Sequence, residues 1–268
     1  MKKIIFFLLI VIVGLGGYWF STKDTRGNPS VPSQNETTSS TPVKLSALKI
    51  SEKVIKKDDI QYPYTIQATL PQVSAQSDQE KIQKINQLIE ETMNKSLDEF
   101  KKNVVELANT STPGLPRSAF TLEYTISAFN AKVVSFELHI SEYITGAAHP
   151  NNFARGFTYD LIHDRQIKTL SDLFRPDAEF LSVLSAISRT DLKEQFKSVG
   201  ENMDDQINKG TEAKPENFEN FVLSVYGIRL LFNPDQVAPY AAGMRKVTIA
   251  TETLKELLPA DSVLFLFK

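Results

Sequence analysis

The chain has 268 residues, with 30 Lys and Arg against 32 Asp and Glu, a net charge of -2 and a pI near 6.0. So even a balance excludes the dense basic surface of a nucleic-acid binder, and no nucleic acid is expected as a partner. The absence of cysteine excludes disulfides, thiolate metal sites, a cysteine nucleophile and a lipidated N-terminal cysteine. A hydrophobic content of 41% is enough for one large core or two small ones.

Residues 1–20 read as a membrane anchor or signal segment. Lys2 and Lys3 precede an uncharged run from Ile4 to Phe20. Such a run is near the lower limit for a transmembrane helix, and Tyr18 and Trp19 fall where an aromatic belt would lie. The lysines predict an N-in orientation, with the rest of the chain extracytoplasmic, periplasmic or extracellular. A cleaved signal peptide is the rival reading, but bulky Tyr18, Trp19 and Phe20 make a poor small-x-small site. Residues 21–44 are rich in Ser, Thr, Asn and Pro. They read as a disordered linker, too poor in large apolar residues to offset the entropy of ordering.

The folded part begins near residue 45. Leu48 to Ile55 predicts a strand. Ile60 to Leu70 predicts a second through strict alternation, with Pro63 marking an edge or a one-sided pairing. Ser77-Asp78-Gln79-Glu80 is a capping-box pattern. After it, Ile82, Ile85, Ile89, Met93, Leu97, Phe100, Val104 and Leu107 make one apolar stripe of a long helix, and Pro113-Gly114 ends it. Phe120 to Phe129 and Val134 to Ile140 predict an antiparallel hairpin. Phe120, Leu122, Tyr124, Ile126 and Ala128 form its apolar face, and Ser135, Glu137 and His139 its polar one.

Phe153 to Leu161 predicts a third strand and His163 to Arg165 a turn. Ser171 to Phe174 reads as a short turn, and Asp177 to Val199 as a helix with Phe180, Leu184, Ile187, Leu192 and Phe196 inward. Glu201 to Pro215 is polar, a small helix or loop. Phe218 to Leu223, Gly227 to Phe232 and Lys246 to Ala250 predict strands, and Asp235 to Gly243 a loop. Thr253-x-x-Glu256 starts a last helix, and Val263 to Phe267 reads as a closing strand. The expected fold is α+β: antiparallel sheets, helices packed on one side, two interlocked subdomains (45–140 and 141–268), and the N-terminal transmembrane helix.

Chemistry is sparse. The three histidines, His139, His149 and His163, have no close metal-ligand spacing, so no metal site and no cofactor are expected. The pairs Asp58-Asp59, Glu90-Glu91 and Asp204-Asp205 read as solvated surfaces rather than glycosidase carboxylates. Gly14-x-Gly16-Gly17 falls inside the apolar run and is no nucleotide loop. The densest local chemistry is Ile140 to Asp160, where Gly146, His149, Pro150, Asn151 and Asn152 lie between two alternating runs. His149 has two readings. As an acid or base it would work near neutral pH. As a structural group it would lock the turn that Gly146 and Pro150 shape. The second carries more weight, because no serine or carboxylate with a triad context accompanies it. Tyr240, after Pro239, either lines a groove or caps a core edge.

Three segments carry a resemblance: YITGAAHPNNFARGFTYDL from Tyr143, IKTLSDLF from Ile167 and FNPDQVAPYAAGMRKVTI from Phe232. Together they resemble the extracytoplasmic domain shared by RsiV-type anti-sigma factors and the non-catalytic part of PdaC-type peptidoglycan deacetylases. Thr145, Gly146, Ala148, His149, Pro150 and Asn151 match the first motif, with Ala147 where a second glycine is usual. Pro239 to Gly243 match the second. Only Met1 to Lys3 precede the apolar run, too little to grip a sigma factor in cis, and the chain ends at Lys268 without a deacetylase domain. The resemblance therefore implies an envelope-anchored recognition domain for a lysozyme-like protein or peptidoglycan, not an enzyme, with no catalytic residues. Its implied ligand-binding residues are Tyr143, Thr145, Gly146, His149, Asn151 and Tyr240, and the two motifs are expected to touch. The alternative is a cell-wall glycan or peptide hydrolase, or a deacetylase accessory, using His149.

Overall fold

A computed structural model of the chain describes residues 48–59, 64–108 and 116–267. The expected anchor Ile4–Phe20, the linker at 21–44, and the expected strand and breaker positions Ile60, Tyr62, Pro63 and Pro113-Gly114 lie outside them. Six strands form one sheet in sequential order: β1 (Lys49–Asp59), β2 (Tyr64–Ser74), β3 (Ser118–Phe129), β4 (Val133–Tyr143), β5 (Asn151–Asp160) and β6 (Arg165–Gln166). The sheet is antiparallel except for β2 and β3, which pair in parallel from Tyr64↔Ser118 to Ala68↔Leu122. Parallel neighbours need a long crossover, and α1 (Gln79–Ala108) supplies it. Pro71 lies on β2 past the end of that parallel ladder, so its missing N–H costs no β3 bond.

The α1 stripe from Ile82 to Val104 is buried against Tyr64, Ile66, Leu70, Phe120, Leu122, Phe136, Leu138, Phe157 and Tyr159 of the sheet. Asn86, beside the stripe, donates to the Val73 carbonyl and accepts the Val73 N–H, both at 2.9 Å. One amide thus satisfies both backbone groups near the end of β2.

The other sheet is a three-stranded antiparallel meander of β7 (Phe221–Ser224), β8 (Gly227–Phe232) and β9 (Arg245–Ala250). Its Phe221, Leu223, Ile228, Leu230, Phe232, Val247 and Ile249 share a core with α2 (Phe180–Ser198) and with Ile207 of α3 (Asp204–Gly210). Its opposite side, through Val222 and Leu231, packs on Ala154 of β5. The layers therefore run α1, six-stranded sheet, three-stranded sheet, α2. The two long helices lie on opposite sides of the sheet pair, not on one side.

Both faces of the β3–β4 hairpin are consequently covered. Ser135 and Glu137, expected on a solvated face, are each 0% exposed. The face is lined by Ser135, Ala154, Gly156 and Thr158, and small side chains let the second sheet approach. A Cβ on Gly156 would stand 1.9 Å from the Phe221 carbonyl oxygen. The Ser135 hydroxyl pairs with that of Thr158 at 2.7 Å and accepts the Leu223 N–H of β7 at 3.0 Å. A bulge at Ser127 reverses the facing of β3. Ala128 joins the core that the second sheet shares with α2, while Ile126 is 46% exposed rather than buried.

Other expectations shift in detail. The sheet runs through residue 140 to Gln166, so the sheets do not divide where the two subdomains were expected to meet. Ser171 to Phe174 contributes to a 3-10 turn at Leu170–Asp172. The last helix starts earlier, as α4 (Thr251–Leu254), and tightens into a 3-10 turn at Lys255–Leu257. Val263–Phe267 is a 3-10 helix, not a strand. Its Val263 and Leu264 are buried in the α2 core, which explains the apolar run without any pairing. Among the described residues no helix is long and apolar enough to cross a membrane.

Candidate functional site

The two motif loops meet. Tyr240 lies in the 3-10 turn Tyr240–Ala242, which Gly243 closes at φ +71. The His149 and Tyr240 rings stack, with centroids 4.3 Å apart and planes inclined by 27°. The Tyr240 hydroxyl donates to the Pro150 carbonyl at 2.5 Å and accepts from the Asn152 N–H at 3.1 Å and its side-chain amide at 2.9 Å. His149 Nδ1 is 2.9 Å from the same Pro150 carbonyl. A carbonyl can only accept, so Nδ1 carries a proton. Just beyond, the Asn233 side chain accepts the Ala154 N–H at 2.8 Å and donates to the Ala154 carbonyl at 3.4 Å. That amide clamps the start of the second loop to β5.

The remaining predicted residues hold the base of the loop. Thr145 is fixed to Ser118 at the start of β3, hydroxyl to hydroxyl at 3.0 Å and N–H to hydroxyl at 3.0 Å. Gly146 takes φ +89, a conformation costly for other residues, in the turn closed by the Ala147 N–H on the Ile144 carbonyl. Tyr143 ends β4 opposite Ala119. Asn151 is exposed opposite Glu142. The structure thus joins His149 to Tyr240, and leaves Tyr143, Thr145 and Asn151 outside that ring stack. Asn152 was missed as a partner of Tyr240, although it stands in the motif.

Two charged groups were also missed. Glu137, 0% exposed, binds Arg229 of β8 at 3.0 Å and Lys246 of β9, with His139 at 3.7 Å. Burial pushes its carboxyl up, but the hydrogen bonds from Lys246 and Arg229 together hold it below the usual range. His139, which also bonds Thr125 at 3.1 Å, is held below the usual imidazole range by burial and by Lys246, against the opposing charges of Glu137 and Glu123. These residues tie the sheets together. Glu142, at the loop base on the α1 side, is raised to about 7 by burial and by Glu99, with Arg155 opposing.

The third histidine is structural as well. His163 Nδ1 donates to the buried Asp160 carboxylate at 2.6 Å, and that carboxylate also accepts the N–H groups of Ile162 and His163. Among the described residues no group of three or more His, Asp or Glu gathers to hold a metal ion.

Fold and site together define an α+β domain built from two sheets clamped by paired loops. Residues 55–152 match the family model described as deacetylase PdaC, and residues 171–252 match DUF3298, a protein family of unknown function. The two models match successive parts of the chain, which resembles proteins of a shared PdaC/DUF3298 domain family in both. It is 27% identical over 178 residues to the peptidoglycan-N-acetylmuramic acid deacetylase PdaC of Bacillus subtilis, covering 66% of this chain and 37% of that protein. It is 27% identical over 113 residues to the immunogenic protein MPT64 of Mycobacterium tuberculosis, covering 42% and 47%. The chain thus spans less than half the length of these curated relatives. A DUF3298 protein of Bacteroides fragilis superposes with a TM-score of 0.57 at 17% identity, covering 84% of this chain and 99% of that one. A Pseudomonas aeruginosa member gives 0.57 at 14% identity, covering 80% and 95%. At such identities these structures establish the fold alone.

Proposed function

We propose that the domain is a recognition module of the cell envelope that binds peptidoglycan and does not turn it over. The observation that carries this reading is the His149–Tyr240 stack, an exposed imidazole on a half-buried phenol ring, held in place by hydrogen bonds. Tyr240 makes three hydrogen bonds and His149 Nδ1 one, all within the two loops. A fixed ring pair offers a flat face to a sugar or to a protein side chain at little cost in entropy. The likeness to a peptidoglycan deacetylase favours the wall glycan over a lysozyme-like protein. An N-terminal anchor at Ile4–Phe20, with the domain outside the membrane, suits the same role.

The test is sedimentation of the purified full chain with insoluble wall sacculi, with capture on immobilised lysozyme in parallel. The reading expects co-sedimentation that His149→Ala reduces by roughly tenfold or more, as for loss of a central aromatic contact. Full-strength capture on lysozyme with none on sacculi would replace the glycan by the protein ligand. Wall hydrolysis lost in His149→Ala at an unchanged melting temperature would establish the enzyme reading instead.

A further inference from the structure

A second site lies away from the loops and shares no residue with them. A cleft of about 680 Å³ opens between α1, the middle of β5, the segment after β6, and α2 with the Pro215–Phe218 turn. That is the size of sites that take small ligands. Buried Ile167, Leu170 and Phe218 supply an apolar lining. Around them stand Lys95, Arg155 and Lys168 together with Glu91 and Glu219.

These five charges do not neutralise one another. None of them forms an ion pair within 4.0 Å among the described residues. Glu91 and Lys95 stand four apart on α1 in the order that favours pairing, yet Glu91 accepts from Gln87 at 2.9 Å instead. The Arg155 guanidinium lies 5.3 Å over the Phe153 ring, and its charge acts on Glu142 without an ion pair within 4.0 Å among the described residues. Both signs of charge therefore stand around one apolar-lined cleft without forming an ion pair among the described residues.

We infer that this cleft binds a short peptide bearing a free ammonium group and free carboxylates. The three cations would take the carboxylates, Glu91 and Glu219 the ammonium, and the buried lining the aliphatic side chains. A neutral sugar would leave the charges unmet, and a polyanion would meet the two glutamates. The inference does not depend on the loop platform.

The probe is the synthetic peptide Ala-Glu-Lys-Ala with free ends, in all-L and all-D forms, titrated into the full chain in detergent micelles and followed by calorimetry. Its control is the same length acetylated, amidated, and carrying Gln and norleucine for Glu and Lys. The charged peptide should bind in at least one chirality and the neutral one should not. Arg155→Ala should weaken binding about tenfold or more, the loss expected for one charge-assisted contact. His149→Ala should leave it unchanged, which separates this site from the loop platform. If Arg155→Ala does not fold, exposed Lys168→Gln carries the same expectation. Equal binding of the neutral peptide, no binding of either at about 10 mM, or undiminished binding to the folded variants would overturn the inference.

Discussion

Glu142 and Glu137 lie on one strand, five residues apart, and respond to pH in opposite senses. Glu142 has its folded pKa raised to about 7, chiefly by burial. Its contribution to stability is therefore present below the ordinary carboxylate range and is lost as pH rises toward 7. Glu142→Gln should remove that slope. At about pH 8 it should stabilise the domain by about 1 kcal/mol, a figure reduced for solvent screening of a half-exposed group. Thermal melts at about pH 5 and about pH 8 check this, since the gain should appear only at the higher pH. Glu137 has its folded pKa lowered, so its stabilisation is present above the ordinary carboxylate range and is lost as pH falls through the folded value. Glu137→Gln removes the charge that holds Arg229 and Lys246, and should cost about 3 kcal/mol at neutral pH in a denaturant titration. The sequence did not reveal this role. Alternation correctly put Glu137 opposite the apolar residues of β4, but a period of two cannot tell a solvated face from one covered by another sheet. The available signal lay on the partner strand, where Ala154, Gly156 and Thr158 present small side chains to that face.

At the scale of elements, α1 was the most legible. Seven of its eight predicted stripe residues, Ile82 to Val104, are buried, because spacings of three and four over thirty residues leave one face only. Phe100→Ala should cost about 3 to 5 kcal/mol, since the ring is 0% exposed and packs on Tyr64 and Phe120. The closing segment Val263–Phe267 was misread because a short apolar run has no period to separate strand from helix. The bulge at Ser127 likewise left no mark in the alternation of Phe120 to Ala128. Between the sheets, Gly156 is the closest approach, with the Phe221 carbonyl 1.9 Å from where a Cβ would stand. Gly156→Ala must push β7 off β5, and should lower stability by roughly 2 kcal/mol or more, read as a shift in the denaturant midpoint. An unchanged midpoint would show that the sheets can slide apart freely.

Across the whole molecule, the loops at 143–152 and 239–243 are far apart in sequence and come together because β5 and the small sheet pack face to face. Their contact was legible only through the resemblance, which linked two motifs that no local pattern connects. The structure adds how the contact is made, through the Tyr240 hydroxyl and the His149 ring. Tyr240→Phe keeps the ring but removes all three hydrogen bonds. It should loosen the platform and weaken sacculus binding several-fold while costing only about 1 kcal/mol in stability, because the site is exposed. The cleft residues, scattered over four elements, were not legible at all, since nothing in the chain order places Lys95, Arg155 and Glu219 together. The most direct test of the platform uses the fact that the protein has only three histidines. Their ring carbon–proton correlations in an NMR spectrum can be assigned by single substitutions and followed while solubilised wall glycan is added. Recognition at the paired loops predicts that the His149 signal moves to saturation while those of His139 and His163 stay in place. A His149 signal that does not move, at glycan concentrations where binding is measured by other means, would contradict it.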